Sequence, residues 1–270
     1  MAAEHPLDAA LALAPIAPGR WRGATSPLWA NMVGPFGGIT AAQALAAVLR
    51  DERRLGDPVA LTVNFCAPLA AGEFEIRTEP VRTNRSTQHW TVAVLQDGQT
   101  ALTATAMTAA RRPTWSADET APPAAPPPQH VARLRADGAV AWLARYDLRF
   151  VAGGPPAHWD GADSGDSRTL LWVRDEPPRP LDFAALAAMA DVFYPRLWRR
   201  RARRVPIGTV SMTVYFLAEG DTVARAGSAP LLGEAHAHAY RAGYFDQSAR
   251  LWSASGELLA TSHQVVYYKE

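Results

Sequence analysis

The chain repeats itself. LTVNFCAP (residues 61–68) lies over MTVYFLAE (212–219), and LQDGQTALTATAM (95–107) lies over SASGELLATSHQV (253–265), a strand–turn–strand with glycine at the turn. Solenoids repeat about every 20–50 residues, so this longer period fits two fused copies of one αβ unit.

In the first copy, residues 21–33 read as a strand and its turn. VALTVNF (59–65) has the β-branched and aromatic content of a strand, and residues 73–81, 88–96 and 100–108 follow in the same style. Asn84-Arg85-Ser86 and Asp97-Gly98 mark the turns between them. Gly37 and Gly38 open a helix with Ala42, Leu45, Val48 and Leu49 facing inward. Such short links predict an antiparallel sheet with one helix covering its apolar face, an α+β unit. The second copy runs likewise: strands at 141–151 and 169–174, a helix at 181–198, then strands at 209–217, 234–242, 248–254 and 258–268. Between the copies stands RRPTWSADETAPPAAPPPQ (111–129), whose proline density favours an extended linker. The chain therefore divides into an N-terminal unit (1–110), a linker (111–129) and a C-terminal unit (130–270).

The second helix, LDFAALAAMADVFYPRLW (181–198), carries the main anomaly. Asp182 can cap its N-terminus, Phe183, Leu186, Ala190, Phe193 and Leu197 form its buried stripe, and Pro195 should kink or end it. Asp191 interrupts the apolar pattern in mid-helix. Ala184, Ala187 and Ala188 on the same face leave room for a second segment or a ligand. A carboxylate there is either solvated or held for a purpose, because aspartate is seldom buried unpaired.

Apolar residues make up 48% and charged residues 20% of the chain, enough for a substantial core, and the net charge of +1 offers no general basic excess for nucleic acid. Cys66 is the single cysteine, which excludes an internal disulfide and suits a reducing compartment. Beside its Pro turn it reads as a small core residue. The N-terminal stretch contains Glu4 and Asp8 and lacks early cations, unlike a secretory signal, and no apolar run reaches the roughly 18 residues of a membrane span. The expectation is a cytoplasmic protein. His236 and His238 share a strand face and read as a wet surface rather than a metal site. Trp90, Trp198 and Trp252 are expected between helix and sheet. The run WRRRARR (198–204) is either a set of cations complementing a helix C-terminus or a dock for phosphates through Arg199, Arg200 and Arg201.

An antiparallel sheet wrapped round a helix, present twice, resembles the double hotdog fold. The residues resemble the acyl-CoA thioesterase II family. FGGITAAQAL (36–45) is similar to that family's first helix start, MADVFYPRLW (189–198) to its second central helix, GTVSMTVYF (208–216) to the strand with a catalytic threonine, and LLATSHQVVYYK (258–269) to the last strand with a catalytic glutamine. The resemblance implies Asp191, Thr209 and Gln264 as the catalytic group of an enzyme in which water attacks the thioester directly. Ser211 and Thr213, at the same strand parity as Thr209, remain alternatives for the hydroxyl. The repeat supports an asymmetric site: Gln264 lies opposite Ala106, and Thr209 opposite Pro58.

In this reading the N–H groups at Gly38 and Ile39 would polarise the thioester carbonyl, with Gly37 beside them in contact with substrate, since the first N–H groups of a helix lack intrahelical partners. The implied substrate is a small-molecule acyl-CoA, with no separate cofactor and no metal, and the double unit is expected to self-associate as a homo-oligomer through its sheets. The alternatives are a non-catalytic acyl-CoA-binding protein and an enoyl-CoA hydratase of the same fold.

Overall fold

The computed structural model describes residues 4–136 and 140–270. In chain order the elements are α1 (Pro6–Ala10), β1 (Ala14–Ala17), β2 (Arg20–Ala24), α2 (Gly37–Arg50), β3 (Asp57–Phe65), β4 (Glu73–Thr83), β5 (Thr87–Gln96), β6 (Gln99–Ala109), β7 (Tyr146–Ala152), β8 (Thr169–Asp175), α3 (Phe183–Met189), α4 (Arg196–Arg201), β9 (Ile207–Phe216), α5 (Gly220–Arg225), β10 (Leu231–His236), β11 (Tyr240–Arg241), β12 (Tyr244–Trp252) and β13 (Leu258–Tyr268).

All the strands belong to one antiparallel sheet with the order β1-β2-β4-β5-β6-β3-β9-β13-β12-β10-β8-β7, and β11 pairs with β12 alone. The order reads the same from both ends if β3 is matched with β9, β6 with β13 and β5 with β12. The repeat read in the sequence is therefore present in the pairing. Leu61 faces Ala106 as Met212 faces Gln264. The halves join where β3 pairs with β9, and Thr62 faces Thr213 there, its equivalent in the other copy. Their hydroxyl oxygens lie 3.0 Å apart and mark the axis relating the two halves.

Both copies carry a bulge at equivalent places. In β3 the pairing skips Val59, and in β9 Val265 and Val266 face Ser211 and Thr209, leaving Val210 as the extra residue. Side chains alternate strictly along an unbroken strand, so one extra residue reverses the face of everything beyond it. Met212, Val214 and Phe216 point into the core. Ser211 and Thr213 point outward, and the bulge turns Thr209 back inward.

The helices fill the concave side. α2 is buried from Gly38 to Val48 because it packs against the N-terminal strands and also against α3. Asp182 caps α3, accepting from the Ala185 N–H at 2.8 Å. The expected helix over 181–198 is instead two short helices. α3 ends at Met189, residues 190–195 form a turn, and α4 starts after Pro195. Pro195 offers no N–H to continue the helix, and it disfavours the helical conformation for Tyr194 before it. Asp191 therefore lies just beyond α3 and not in mid-helix.

The proline-rich segment forms no helix or strand up to Pro127, as expected, but it is fastened down. Arg111 at its start donates to the carbonyls of Pro58 (3.2 Å) and Leu217 (3.0 Å) beside the β3–β9 seam. Trp172 donates to Pro126 at 2.9 Å, and Arg149 to Pro128 and Val131 at 3.1 Å each. Ala125 and Val131 cover Leu170, Trp172, Leu232 and Trp252, so Trp252 packs beneath this segment on the outer face rather than against a helix. Three further expectations need correction. Residues 141–145 form a 3₁₀ turn ahead of β7, the strand expected at 234–242 is β10, a short loop and the two-residue β11, and Cys66 is exposed.

Candidate active site

The two halves come close at the start of α2. A Cβ on Gly37 would lie 2.8 Å from the Asp191 Oδ2, and one on Gly38 would lie 2.5 Å from the Ala188 carbonyl oxygen. Only glycine lets the first turn of α2 come this close to the end of α3. The Gly38 N–H donates to the Asp191 carboxylate. Gly37, Gly38 and Ile39 have no intrahelical acceptor, and the Thr40 N–H is the first to reach back, to Phe36.

The C-terminal strands supply the remaining groups. Gln264 on β13 is buried, and its Nε2 donates to Asp191 Oδ1 at 2.9 Å. The same nitrogen contacts the Met212 sulfur at 3.4 Å. Thr209, turned inward by the bulge, donates to Gln264 Oε1 at 3.3 Å. An amide has one acceptor end and one donor end, so the threonine hydroxyl on the oxygen fixes the NH₂ towards the aspartate. Thr213 is spent on Thr62 at the outer face.

Asp191 is half-buried. Burial raises its pKa to about 7, against the opposing hydrogen bonds from Gln264 and Gly38. A carboxylate of this kind is half ionised near neutral pH and can exchange protons there.

An aromatic shell, not evident in the sequence, leans on this site. Phe36, next to the two glycines, stacks on Trp142 at 4.2 Å between ring centroids, and Tyr146 meets both edge-on. Trp142 belongs to the C-terminal half and crosses to the N-terminal one, donating from its ring to Asn31 and from its backbone to Ala30, both at 3.3 Å. Tyr194, Trp198 and Trp159 form a second cluster, capped by the Arg204 guanidinium 4.3 Å above the Trp159 ring.

Asp191, Thr209, Gln264, Gly37 and Gly38 thus meet in one place, with Ile39 in the same helical turn. Arg199, Arg200 and Arg201 do not join them. Arg200 is engaged by Asp163 and the Gly165 carbonyl, Arg201 is 3.9 Å from Glu270, and the Arg199 Nε is buried with no partner among the described residues. His236 and His238 approach to 3.2 Å between their Nε2 atoms on the outer face. Among the described residues, no cluster of three or more His, Cys, Asp or Glu could hold a metal ion.

The profile of the acyl-CoA thioesterase C-terminal domain matches residues 117–268, and that of the acyl-CoA thioesterase N-terminal domain matches residues 26–109. The chain belongs to the acyl-CoA thioesterase family. Among solved structures, a conserved protein of unknown function with a hot dog fold from Alicyclobacillus acidocaldarius is 47% identical, with 99% of each chain covered and a TM-score of 0.94. Two more distant relatives share the fold. A putative thioesterase II from Thermobifida fusca YX is 22% identical over 98% of each chain (TM-score 0.83). The acyl-CoA thioesterase II TesB2 from Mycobacterium marinum is 20% identical over 97% of this chain and 98% of its own (TM-score 0.73). No curated protein matches the chain. The double hotdog architecture of the family is the one described above, and no described helix is long and apolar enough to cross a membrane.

Proposed function

We propose that the protein hydrolyses acyl-CoA thioesters by direct attack of water, with Asp191 as general base. The observation that carries this reading is the hydrogen bond from Gln264 to Asp191, made to a carboxyl whose pKa is raised to about 7 beside the start of α2. Ionised Asp191 takes a proton from water as the water oxygen bonds to the thioester carbon. Gln264 and Thr209 orient the carboxylate and the water. The carbonyl oxygen becomes an oxyanion, stabilised by N–H groups at the positive end of α2. Gly38 bonds Asp191 instead of standing free as expected, so Gly37 and Ile39, rather than Gly38 and Ile39, are the donors this reading uses. The carbon–sulfur bond then breaks, and the departing thiolate takes the proton held by Asp191. Coenzyme A enters as part of the substrate and no further cofactor is invoked.

Thiol release over short, medium and long acyl-CoAs tests the proposal. Turnover of at least one length supports it. Binding without release would mark an acyl-CoA-binding protein, and addition of water to crotonyl-CoA without thiol release would mark a hydratase.

A further inference from the structure

A basin of about 680 Å³ lies at the rim of the C-terminal half, between α4, β10, β12 and the loop ahead of β8. Four guanidinium groups line it, those of Arg168, Arg200, Arg241 and Arg250, with the carboxylates of Asp166 and Glu234 in the wall and Asp163 holding Arg200 beside it. Glu234 is shared, 2.6 Å from Arg168 and 3.9 Å from Arg250. Arg241 is exposed and makes no ion pair among the described residues.

A fifth cation lies under the floor. Arg196 is fully buried, and its guanidinium donates only to uncharged oxygens: Ser167 O and Thr169 Oγ1 at 2.7 Å, Ala235 O at 3.4 Å and the Tyr194 carbonyl. Its Nε has no partner among the described residues. Burial lowers its pKa to about 9, which leaves it charged at neutral pH. A buried charge is ordinarily paired, and this one has no carboxylate partner among the described residues. Its field therefore reaches the basin floor, where the Ser167 hydroxyl accepts from the Ala237 N–H at 2.9 Å.

The basin is also placed to serve the candidate active site. Gln264 faces Gln247 on β12, and the next residue, Ser248, faces His236 on β10 in the basin wall. Two strand spacings, about 10 Å, separate them along the sheet. His236 alternates with the buried Ala235 and so lies on the outer face, but Arg200 reaches the basin from α4, which begins five residues after Asp191. A ligand reacting at Asp191 and holding charge in the basin would pass round the strand ends beside α4.

We propose that this basin docks the phosphate-bearing nucleotide end of coenzyme A, an inference that rests on the thioesterase reading. Its cations come from four different elements, the loop ahead of β8, α4, β11 and β12, which suits several phosphates better than a single ion. Arginine is the side chain best matched to phosphate geometry. Of the arginines in the 199–201 run only Arg200 takes part, and three of the wall's four cations come from other elements.

The test uses the full chain and the nucleotide without its pantetheine arm, 3′-phosphoadenosine 5′-diphosphate, with inorganic phosphate as a second titrant. Arg241→Gln and Arg250→Gln change exposed side chains outside the core. The nucleotide should bind the wild type, and the double substitution should weaken it at least ~10-fold, the loss expected for two charge-assisted contacts. The ratio of kcat/KM for an acyl-CoA to that for the same acyl-pantetheine should fall by a similar factor. Unchanged nucleotide affinity in the variant, or inorganic phosphate binding as tightly as the nucleotide, would overturn the assignment. Hydrolysis of acyl-pantetheine is read separately. If the wild type cleaves neither thioester, the thioesterase reading fails, while nucleotide binding still decides the basin.

Discussion

Gln264 and Asp191 are 73 residues apart in sequence, and the Gln264 amide nitrogen stands 2.9 Å from the Asp191 carboxylate oxygen. The glutamine comes from the long last strand, and the aspartate from the turn that ends α3. The start of α2 closes the same point from the other half of the chain. The carboxylate is thus held by both copies of the repeat, although only the second copy contributes the polar side chains.

The ionisation of Asp191 should control the rate. Burial places its pKa at about 7, and the base works only when ionised. The kcat/KM for an acyl-CoA should rise with pH through about 7 and level off above it. Thiol release measured between pH 5 and pH 9 checks this, and a flat profile would remove a base of this pKa from the mechanism.

The same group should cost stability. Its folded pKa lies above the ordinary carboxyl value of 3.8, so the folded state holds its proton more tightly than the unfolded chain does. Stability therefore falls as pH rises from about 4 to about 7, and the full penalty is present above that range. Asp191→Asn should raise the Tm at pH 8, with the gain vanishing near pH 4. Thermal scans at the two pH values read it directly.

Asp175 makes a sharper case away from the chemistry. It is buried, neither carboxylate oxygen has a hydrogen-bond partner among the described residues, and burial raises its pKa to about 7. The sign is the same as for Asp191, with stability lost as pH rises through the window from about 4 to about 7. Each tenfold change in proton affinity is worth ~1.4 kcal/mol, so the penalty at pH 8 is on the order of 4 kcal/mol at most. Asp175→Asn should stabilise the fold at pH 8 by a few degrees and have little effect at pH 4. Equal effects at both values would show that ionisation is not the cause.

Thr209 and Thr213 separate the roles of two hydroxyls that sequence parity treats alike. Thr209 holds the Gln264 oxygen, and Thr213 bonds Thr62 on the outer face. Thr209→Val should lower kcat roughly 10-fold, the loss of one oriented hydrogen bond. Thr213→Val should leave kcat within about twofold, as for a surface change remote from the site. The reverse pattern would contradict the bulge at Val210 as the device that aims the hydroxyl.

The repeat was legible because both copies keep the same strand runs and the same turn glycines, and that much leads to the sheet. The site was partly legible, since Asp191 broke an apolar stripe and Gln264 stood opposite an alanine. Three things were hidden. The bulge at Val210 leaves no mark in a pattern of alternating residues, so Thr209, Ser211 and Thr213 looked equivalent. The end of α3 at Met189 depends on Pro195 six residues on and on the close approach of Gly38, which comes from the other half. Trp142 lies in a stretch with strand-like composition that winds into a 3₁₀ turn and crosses to Ala30. The arginine run announced its charge but not its partners. Asp163, Gly165 and Glu270 are brought to it by distant loops and the chain end.

The most direct test of the account is the turnover of Asp191→Asn, which keeps the size of the side chain and removes its basicity. Thiol release from the best acyl-CoA substrate, measured at pH 8, should fall at least ~100-fold, the usual contribution of a proton-transfer group, while the Tm does not fall. Turnover equal to that of the wild type would contradict the account and take Asp191 out of the chemistry.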